Sequence, residues 1–397
     1  MQPPYVRPGP AIPASWPQGD AYLRQTEATL PAVTYRDIFQ DARLQTLIEQ
    51  ALTNNRDLMV AAANIAAARE QVRIQRAQQL PQIDATARAS ADSGGDGESV
   101  STRYELGVGI NAFEIDLFGR LRSLTDVQRS RYFATEAAAR ATRLALVADI
   151  ATAWLTYAAD QKTALAQDVN LLRLLVGAEI DAALLPGSID QAAPTVRELP
   201  AGLDSLVLLR RPDVVEAEYQ LRAANAQIGA ARAALFPRIT LTGLLGLAST
   251  SLAGLFSGGA FQWSPGSDVT YTIFQGGAGR ANVRLTEAQR EAAVATYQRT
   301  IQQAFREVSD ALARRGTIGD QLRARQSQRQ AAADTYLLTE ARYRNGIDSF
   351  LGSLDAQRSY YSAQRTLVLS RLEAATNLVD LYRSLGGDSL LSTPDQP

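Results

Sequence analysis

Hydrophobic and polar positions alternate with a period of two in four short runs of this chain, and elsewhere recur with helical spacing. The runs fall inside a unit that occurs twice. Asp57 to Phe118 recurs, ungapped and at a constant offset, as Asp213 to Phe274: Ala61 answers to Ala217, Arg76 to Arg232, Pro81 to Pro237 and Ile83 to Ile239. Each copy opens with an alanine-rich helical run that ends at proline. Proline removes a backbone donor and pushes the preceding residue out of the helical region, so Leu80 and Phe236 are expected to leave the helix there. In copy one Ile83, Ala85, Ala87 and Ala89 then alternate with Asp84, Thr86, Arg88 and Ser90; in copy two Ile239, Leu241, Gly243, Leu245 and Leu247 alternate with Thr240, Thr242, Leu244 and Gly246. Such alternation puts each set on one face of a strand. After a Gly/Ser-rich stretch a second run follows, marked by Leu106, Val108 and Ile110, then by Val269, Tyr271 and Ile273. Each copy therefore reads helix, strand, loop, strand, helix, and repeats of this kind decide architecture.

The rest of the chain is helical in pattern. Leu44, Leu47, Ile48, Ala51 and Leu52 keep helical spacing, and NNRDL marks a break before the first copy's long helix. After Phe118 no proline occurs until Pro186, and after Pro265 none until Pro394, so long helices are permitted in both intervals. Leu285, Ala288, Ala292 and Ala295, then Ile301, Phe305, Val308 and Leu312, predict the narrow seam of coiled-coil packing. A helix from Arg280 to Tyr343 reaches about 95 Å. Asn345 and Gly346 supply the left-handed cap that ends it, and a return helix runs from about Phe350 to Leu385. The segment 178–205, with Pro186, Gly187, Pro194 and Pro200, reads as an irregular linker. Residues 1–37 read as an extended segment laid over another surface, since seven of the sixteen prolines lie before residue 32.

Composition narrows the function classes. The 397 residues carry a net charge of −1 with both signs interspersed, so no basic block argues for nucleic acid. All basic residues but Lys162 are arginine. There is no His and no Cys, which excludes thiolate chemistry, disulfides, His bases and the usual zinc sites. No enzyme motif, cofactor or metal is expected. No apolar run approaches the roughly 20 residues of a membrane-spanning helix, and MQPPYVRPGP is no signal peptide. A bilayer would be met with strands. Two strands per copy have nearly the 9–11 residues that a tilted membrane strand needs, but four strands cannot close a barrel, so closure would come from other copies. A small soluble sheet packed on the helices fits the alternation equally well.

A resemblance changes that balance. The phrases LIEQALTNNRDLMVAAANIAAAREQ, LLRRPDVVEAEYQLRAANAQIGAARAALFPRITLTG, IDLFGR and EARYRNGIDSFLGSLDAQRSYYSAQRTL resemble outer-membrane efflux proteins of the TolC type, in the lipoprotein branch called NodT-like. The resemblance covers nearly the whole chain. It implies a mainly α protein with a transmembrane β-barrel: a homotrimer whose chains give four strands each to a 12-stranded barrel, continued by a long α-helical periplasmic barrel. It implies a passive exit duct for drugs or other small molecules, embedded in outer-membrane lipid and working with a periplasmic adaptor and an inner-membrane RND-type transporter. The divisions that follow are 1–37 (extended), 38–80 (helices of repeat 1), 81–117 (strand pair), 118–177 (shortened helices), 178–205 (equatorial linker), 206–236 (helix of repeat 2), 237–274 (strand pair), 275–388 (long hairpin) and 389–397 (tail).

The resemblance also implies roles for residues. Asn345, Gly346, Ile347, Asp348 and Ser349 match the turn that meets the adaptor. Asp355 matches an acidic position that narrows the closed pore, although the neighbouring acidic position is Gly352 here; a ring of three carboxylates would favour cations. Asp84, Thr86, Arg88, Thr240 and Thr242 would face the barrel lumen, and Ile83, Leu241 and Leu245 the lipid. Tyr104, Phe261 and Trp263 sit near strand ends as candidates for an aromatic girdle. Arg210, Arg211 and Asp213, around Pro212, read simply as a helix start.

The chain departs from the family pattern in two places. WLTYAADQKTALAQDVNLLRLLVG passes from the descending helix of repeat 1 into the end of the ascending one, with no counterpart of RYRNGIDS, an excision of close to a whole number of heptads. A trimer would present three periplasmic tips instead of six. The branch also carries a lipoprotein signal ending in an acylated Cys shortly before a segment like PPYVRP; this sequence starts at Met1 without that signal, so lipidation is not claimed from these residues. The alternatives are a coiled-coil scaffold with a small capping sheet, and a truncated efflux-channel paralogue impaired in assembly.

Overall fold

The computed structural model describes residues 1–10, 12–13, 34–92, 101–160, 165–197 and 205–387. Most of the N-terminal segment (14–33), the Gly/Ser/Asp-rich loop of repeat 1 (93–100), the joint at 161–164, part of the linker (198–204) and the tail lie outside the described residues. In chain order the elements are α1 Tyr35–Ile38, α2 Ala42–Asn54, α3 Arg56–Ala77, β1 Ile83–Asp92, β2 Ser101–Glu114, α4 Arg120–Ala159, α5 Leu165–Val176, α6 Ile189–Ala192, α7 Pro212–Ala233, β3 Arg238–Ser249, β4 Phe261–Thr270, α8 Ala278–Arg344 and α9 Phe350–Ser384. Helices α3 and α7 stop at Ala77 and Ala233, and a hydrogen-bonded turn takes the chain from each to its proline.

Two compact units are formed. One comprises Met1–Arg7, Ala66–Ala134 and Glu218–Ala295. It holds one antiparallel sheet in the order β1-β2-β3-β4, so β1 and β4 are its edges. A bulge between Ile110 and Phe113 inserts an extra residue into β2, with Ala112 at φ 53°. It restores parity between the copies: by the constant offset Leu106 answers to Gln262 on the opposite face, whereas Phe113, past the bulge, shares a face with its counterpart Val269. Strand β4 ends at Thr270, so Tyr271 and Ile273 lie beyond it rather than in an alternating run.

The expected seam at Leu285, Ala288, Ala292 and Ala295 is exposed, Leu285 by 54%. This stretch of α8 packs on the α7 side of the unit, where Arg232 pairs with Glu287 at 2.8 Å and Leu235 lies against Gly279, so the buried positions are one residue along, as at Thr286. Farther on, Ile301 and Val308 are buried as the spacing predicts.

The second unit comprises Pro8–Ile65, Thr135–Ala217 and Thr296–Pro397. Its core gathers Leu44, Leu47 and Ile48 of α2, Ile150, Trp154 and Leu155 of α4, Leu172 of α5 and Tyr382 of α9. The Trp154 Nε1–H donates to the Leu184 carbonyl at 3.1 Å, and Phe39 meets Tyr382 edge-on at 5.5 Å. The linker is less irregular than its prolines suggest. Its described part folds into short helical turns, and Ile189, Ala192 and Val196 are buried in this core.

Each repeat is closed by one side chain. Asn55, in the break between α2 and α3, accepts from the Leu58 N–H and donates through Nδ2 to the Leu175 carbonyl at 2.8 Å, near the end of α5. Arg211, which answers to Asn55 at the repeat offset, donates to the Ser384 carbonyl at 2.7 Å, near the end of α9. Gly177 and Gly386, each two residues past those carbonyls, have φ 73° and 94°, and a Cβ on Gly177 would lie 2.6 Å from the Asn54 carbonyl oxygen. Arg211, buried like Asn55, also binds Asp213 and Glu307 and so has the larger set of partners. Arg211→Ala is expected to cost about 1.5–3 kcal/mol, the value of hydrogen bonds to a charged group. Thermal melting followed by circular dichroism should show a midpoint lower by several degrees, and an unchanged midpoint would refute the role.

Candidate functional site

The register sorts every strand residue onto one of two faces. Ile83 pairs with Ile110, Ala85 with Val108, Val108 with Leu245, and Leu245 with Trp263. These side chains share one face with Leu241, Leu247, Phe261 and Val269. It is apolar and open: Ile83 is 67% exposed, Leu241 39%, Leu245 55% and Trp263 69%. Tyr104, Phe261 and Trp263 gather on it towards the β1–β2 and β3–β4 loops. On the opposite face Asp84 and Thr86 stand opposite Gly109 and Gly107, Arg88 opposite Glu105, Thr240 opposite Asp268 and Thr242 opposite Gly266. The sheet thus separates the residues predicted for lipid from those predicted for the lumen.

One residue breaks the polar face. Leu244 occupies it, and its Cδ1 lies over the space where side chains on Gly107 and Gly109 would stand. A Cβ on Gly246 would lie 2.4 Å from the Leu106 carbonyl oxygen, so that glycine is required by the close approach of β2 and β3. At the base of the sheet the buried Glu114 carboxylate accepts from Arg120 at 2.7 and 2.8 Å and pairs with Arg238 at 2.8 Å, tying β2 to the start of α4 and to β3.

The α8–α9 turn is built by its backbone. The Ile347 N–H donates to the Arg342 carbonyl and the Gly346 N–H to that of Tyr343, both at 2.9 Å, with Gly346 at φ 72°. This is the double closure of a left-handed helix end, and Asn345 adds a bond from Nδ2 to the Ala341 carbonyl at 2.7 Å. Asp348 is held by Arg342 at 2.6 Å, and that hydrogen-bonded pairing keeps its carboxyl below the usual range. Asn345, Gly346, Ile347 and Ser349 are exposed at the turn. Asp355 is also exposed, one turn into α9, and pairs with Arg358 at 2.7 Å.

The N-terminal residues form a strap on α7. Asn225 donates to the Pro3 carbonyl at 2.9 Å, the Arg222 guanidinium stacks 4.9 Å from the Tyr5 ring, and Glu218 takes an ion pair from Arg7 and one from Arg222 at 2.8 Å. Gly229 leaves room for Gln2, because a Cβ there would come within 2.8 Å of that side chain. Burial pushes the Glu218 carboxyl up, but the hydrogen bonds from Arg7 and Arg222 outweigh it and hold the group below its ordinary value. Glu114, Glu218 and Asn55 are residues that the sequence does not single out, and Arg211, read there as a helix start, also closes its repeat. The only signal for any of them is the repeat offset that aligns Asn55 with Arg211.

The family described as "Outer membrane efflux protein" matches residues 47–172 and 203–387, one block for each repeat. The chain belongs to the outer membrane efflux protein family. Within it, the probable efflux pump outer membrane protein TtgC of Pseudomonas putida is 41% identical, with 97% of this chain and 92% of TtgC covered. Outer membrane protein OprJ of Pseudomonas aeruginosa is 38% identical, over 98% and 92% of the two chains. The open-state MtrE outer membrane channel of Neisseria gonorrhoeae superposes with a TM-score of 0.88 at 32% identity, covering 98% of each chain. The TtgC alignment runs over 445 residues although 97% of 397 is only about 385, so this efflux protein is shorter by some sixty residues over the matched span.

The strap gives a pH test. A carboxylate whose folded pKa lies below its unfolded value stabilises above the unfolded value, about 4.5, and loses that contribution as pH falls through the folded one. Glu218→Gln should raise hydrogen exchange of the N-terminal strap severalfold at pH 7 and still at pH 5. Only as the pH falls below the unfolded value and through the folded one should wild type and variant converge; a wild-type strap that loosens already near pH 6 contradicts the assignment.

Proposed function

We propose that this chain is the passive exit duct of a tripartite efflux pump, with three copies closing a 12-stranded barrel in the outer membrane and continuing as an α-helical barrel. The observation that carries this is the four-stranded sheet with one apolar face, one polar face and two unpaired edges. In hydrocarbon each unsatisfied backbone group costs several kcal/mol, so edge must meet edge in a closed ring. Ile83, Leu241 and Leu245 then face lipid, and Asp84, Thr86, Arg88, Thr240 and Thr242 line a wet lumen. No step of bond chemistry is required; a periplasmic adaptor and an inner-membrane RND-type transporter supply the substrate and the energy. Asp355 stands as the acidic ring of the constriction, and its pairing with Arg358 tempers the charge that ring presents.

Arginine substitutions separate the faces. Leu241→Arg should cost about 2–4 kcal/mol near the bilayer midplane and deplete folded trimer. Thr242→Arg should fold and shift single-channel conductance and ion selectivity. Equal tolerance of the two would place the sheet outside a membrane.

The shortened first repeat favours a refinement. The adaptor meets the tip at Asn345, Gly346, Ile347, Asp348 and Ser349, and a trimer with one tip per chain offers half the usual number of grooves. Multivalent docking loses far more than half its strength when half its sites go. The chain therefore trimerises but joins a pump weakly. Inserting a hairpin like that of repeat 2 between Lys162 and Asn170 should raise efflux in a strain lacking its own duct; full drug resistance from the unmodified chain would overturn the refinement.

A further inference from the structure

The two hairpins of this chain end at different heights. Counted from the Gly-Arg pair that opens each descending helix (Gly119-Arg120 and Gly279-Arg280), Ala159, the last residue of α4, answers to Gly319, so residues 320–344 of α8 continue for about 38 Å past that level. The return arm matches, since α5 has 12 residues and α9 has 35. Along the paired arms α8 and α9 face one another through a narrow seam that buries Ile318 on α8 and Ser353, Ala356, Ala363 and Leu367 on α9. Half a turn of each helix away lies a second, exposed face. On α8 it presents Ala331, Asp334 and Leu338; on α9 it presents Leu354, Arg358 and Tyr361. In a closed ring of helices every helix has a neighbour on both sides, and the first repeat is too short to supply one here.

The hairpin's own contacts fix the heights of these residues. A Cβ on Gly352 would lie 3.7 Å from the Thr339 methyl group, and the Tyr336 and Tyr360 rings stack at 6.1 Å. In that antiparallel register Ala331 is level with Tyr361, Asp334 with Arg358 and Leu338 with Leu354, to within about one turn. The levels pair a small residue with a large one, a carboxylate with a guanidinium and a leucine with a leucine. Asp334 accepts only from Gln330, at 3.0 Å, and has no ion-pair partner among the described residues of its own chain.

We infer that, past the end of the short repeat, the α9 face of one copy packs directly on the α8 face of the next, so that the duct wall there is a ring of six helices from three chains. The occupant of the exposed strip is a second copy of this chain, because rotation about an axis along the helices preserves height and brings each residue opposite its complement. The inference rests on the trimer proposed above. Its consequence is a narrowing. Helix axes about 9 Å apart lie on a circle of radius about 9 Å for six helices and about 17 Å for twelve; subtracting a helix radius of about 5 Å leaves bores of about 8 and 25 Å.

The chain has no native cysteine, so pairs can be introduced without prior changes. The full-length Leu338→Cys/Leu354→Cys variant, in outer membranes from a strain without the adaptor, is oxidised and run on a non-reducing gel before and after boiling. Boiled samples should show covalent dimers and trimers. Adding Asp334→Arg should reduce them severalfold, and adding Arg358→Asp as well should restore them. Trimers in the unboiled lane with only monomers after boiling overturn the inference while leaving the trimer intact; monomers in both lanes overturn the trimer and the inference together. In a strain that holds the adaptor, cross-links from the thiol that Leu338→Cys introduces to the adaptor, in place of the neighbouring copy, also overturn it.

Discussion

Edge strands β1 and β4 each present a row of backbone donors and acceptors on one side that no other strand among the described residues takes up. Water would satisfy those groups; hydrocarbon cannot. The apolar face rules out water on that side of the sheet, so pairing between copies is the arrangement that satisfies both the side chains and the backbone. Much else follows from it. Gly246 exists because β2 and β3 approach too closely for a Cβ, and the bulge at Ile110 to Phe113 lets two unequal strand pairs lay their apolar residues on one common surface. Glu114 fixes the exit of β2 to the helix that follows, so the orientation of the sheet is passed on by an ion-paired carboxylate rather than by a flexible loop.

What could be read in the sequence was what repeats or has a short period. The long helix was expected over Arg280 to Tyr343 and is found at Ala278–Arg344, because uninterrupted spacing and an Asn-Gly cap are local signals. The division of Ile83, Leu241 and Leu245 from Asp84, Thr86, Arg88, Thr240 and Thr242 follows from a period of two alone. Where packing partners decide, the pattern misled: Leu285 and the alanines after it have seam spacing, yet the neighbours of α8 at that level turn a different set inward. The parity switch in β2 was hidden because one extra residue in a strand leaves no compositional mark. Glu218 was beyond reach, since its partner Arg7 is 211 residues away and no periodicity links a strap to a helix. The exit-duct reading owed more to long shared phrases with a family than to any residue's chemistry, as befits a molecule that makes and breaks no bonds.

The two repeats reach the same closure with different chemistry. Asn55 uses a neutral amide and Arg211 a guanidinium, and both bind a carbonyl two residues before a left-handed glycine. Arg211 recruits Asp213 and Glu307 as well, which puts the more elaborate clasp at the root of the longer hairpin. Desolvation of the guanidinium is offset by those two carboxylates and by the carbonyl, which leaves no buried charge unpaired.

Because each clasp sits at the root of its hairpin, everything beyond it is an appendage whose length is independent of the base. An arm and its return can be shortened together without moving the carbonyl that Asn55 binds or the backbone turn at Gly177. The short repeat in this chain is an instance of such editing. Its root keeps a side-chain donor, a carbonyl acceptor and a left-handed glycine in the same places as the long one, so reach varies while the junction is held constant, and hairpin length becomes a trait that evolution can tune without rebuilding the protein.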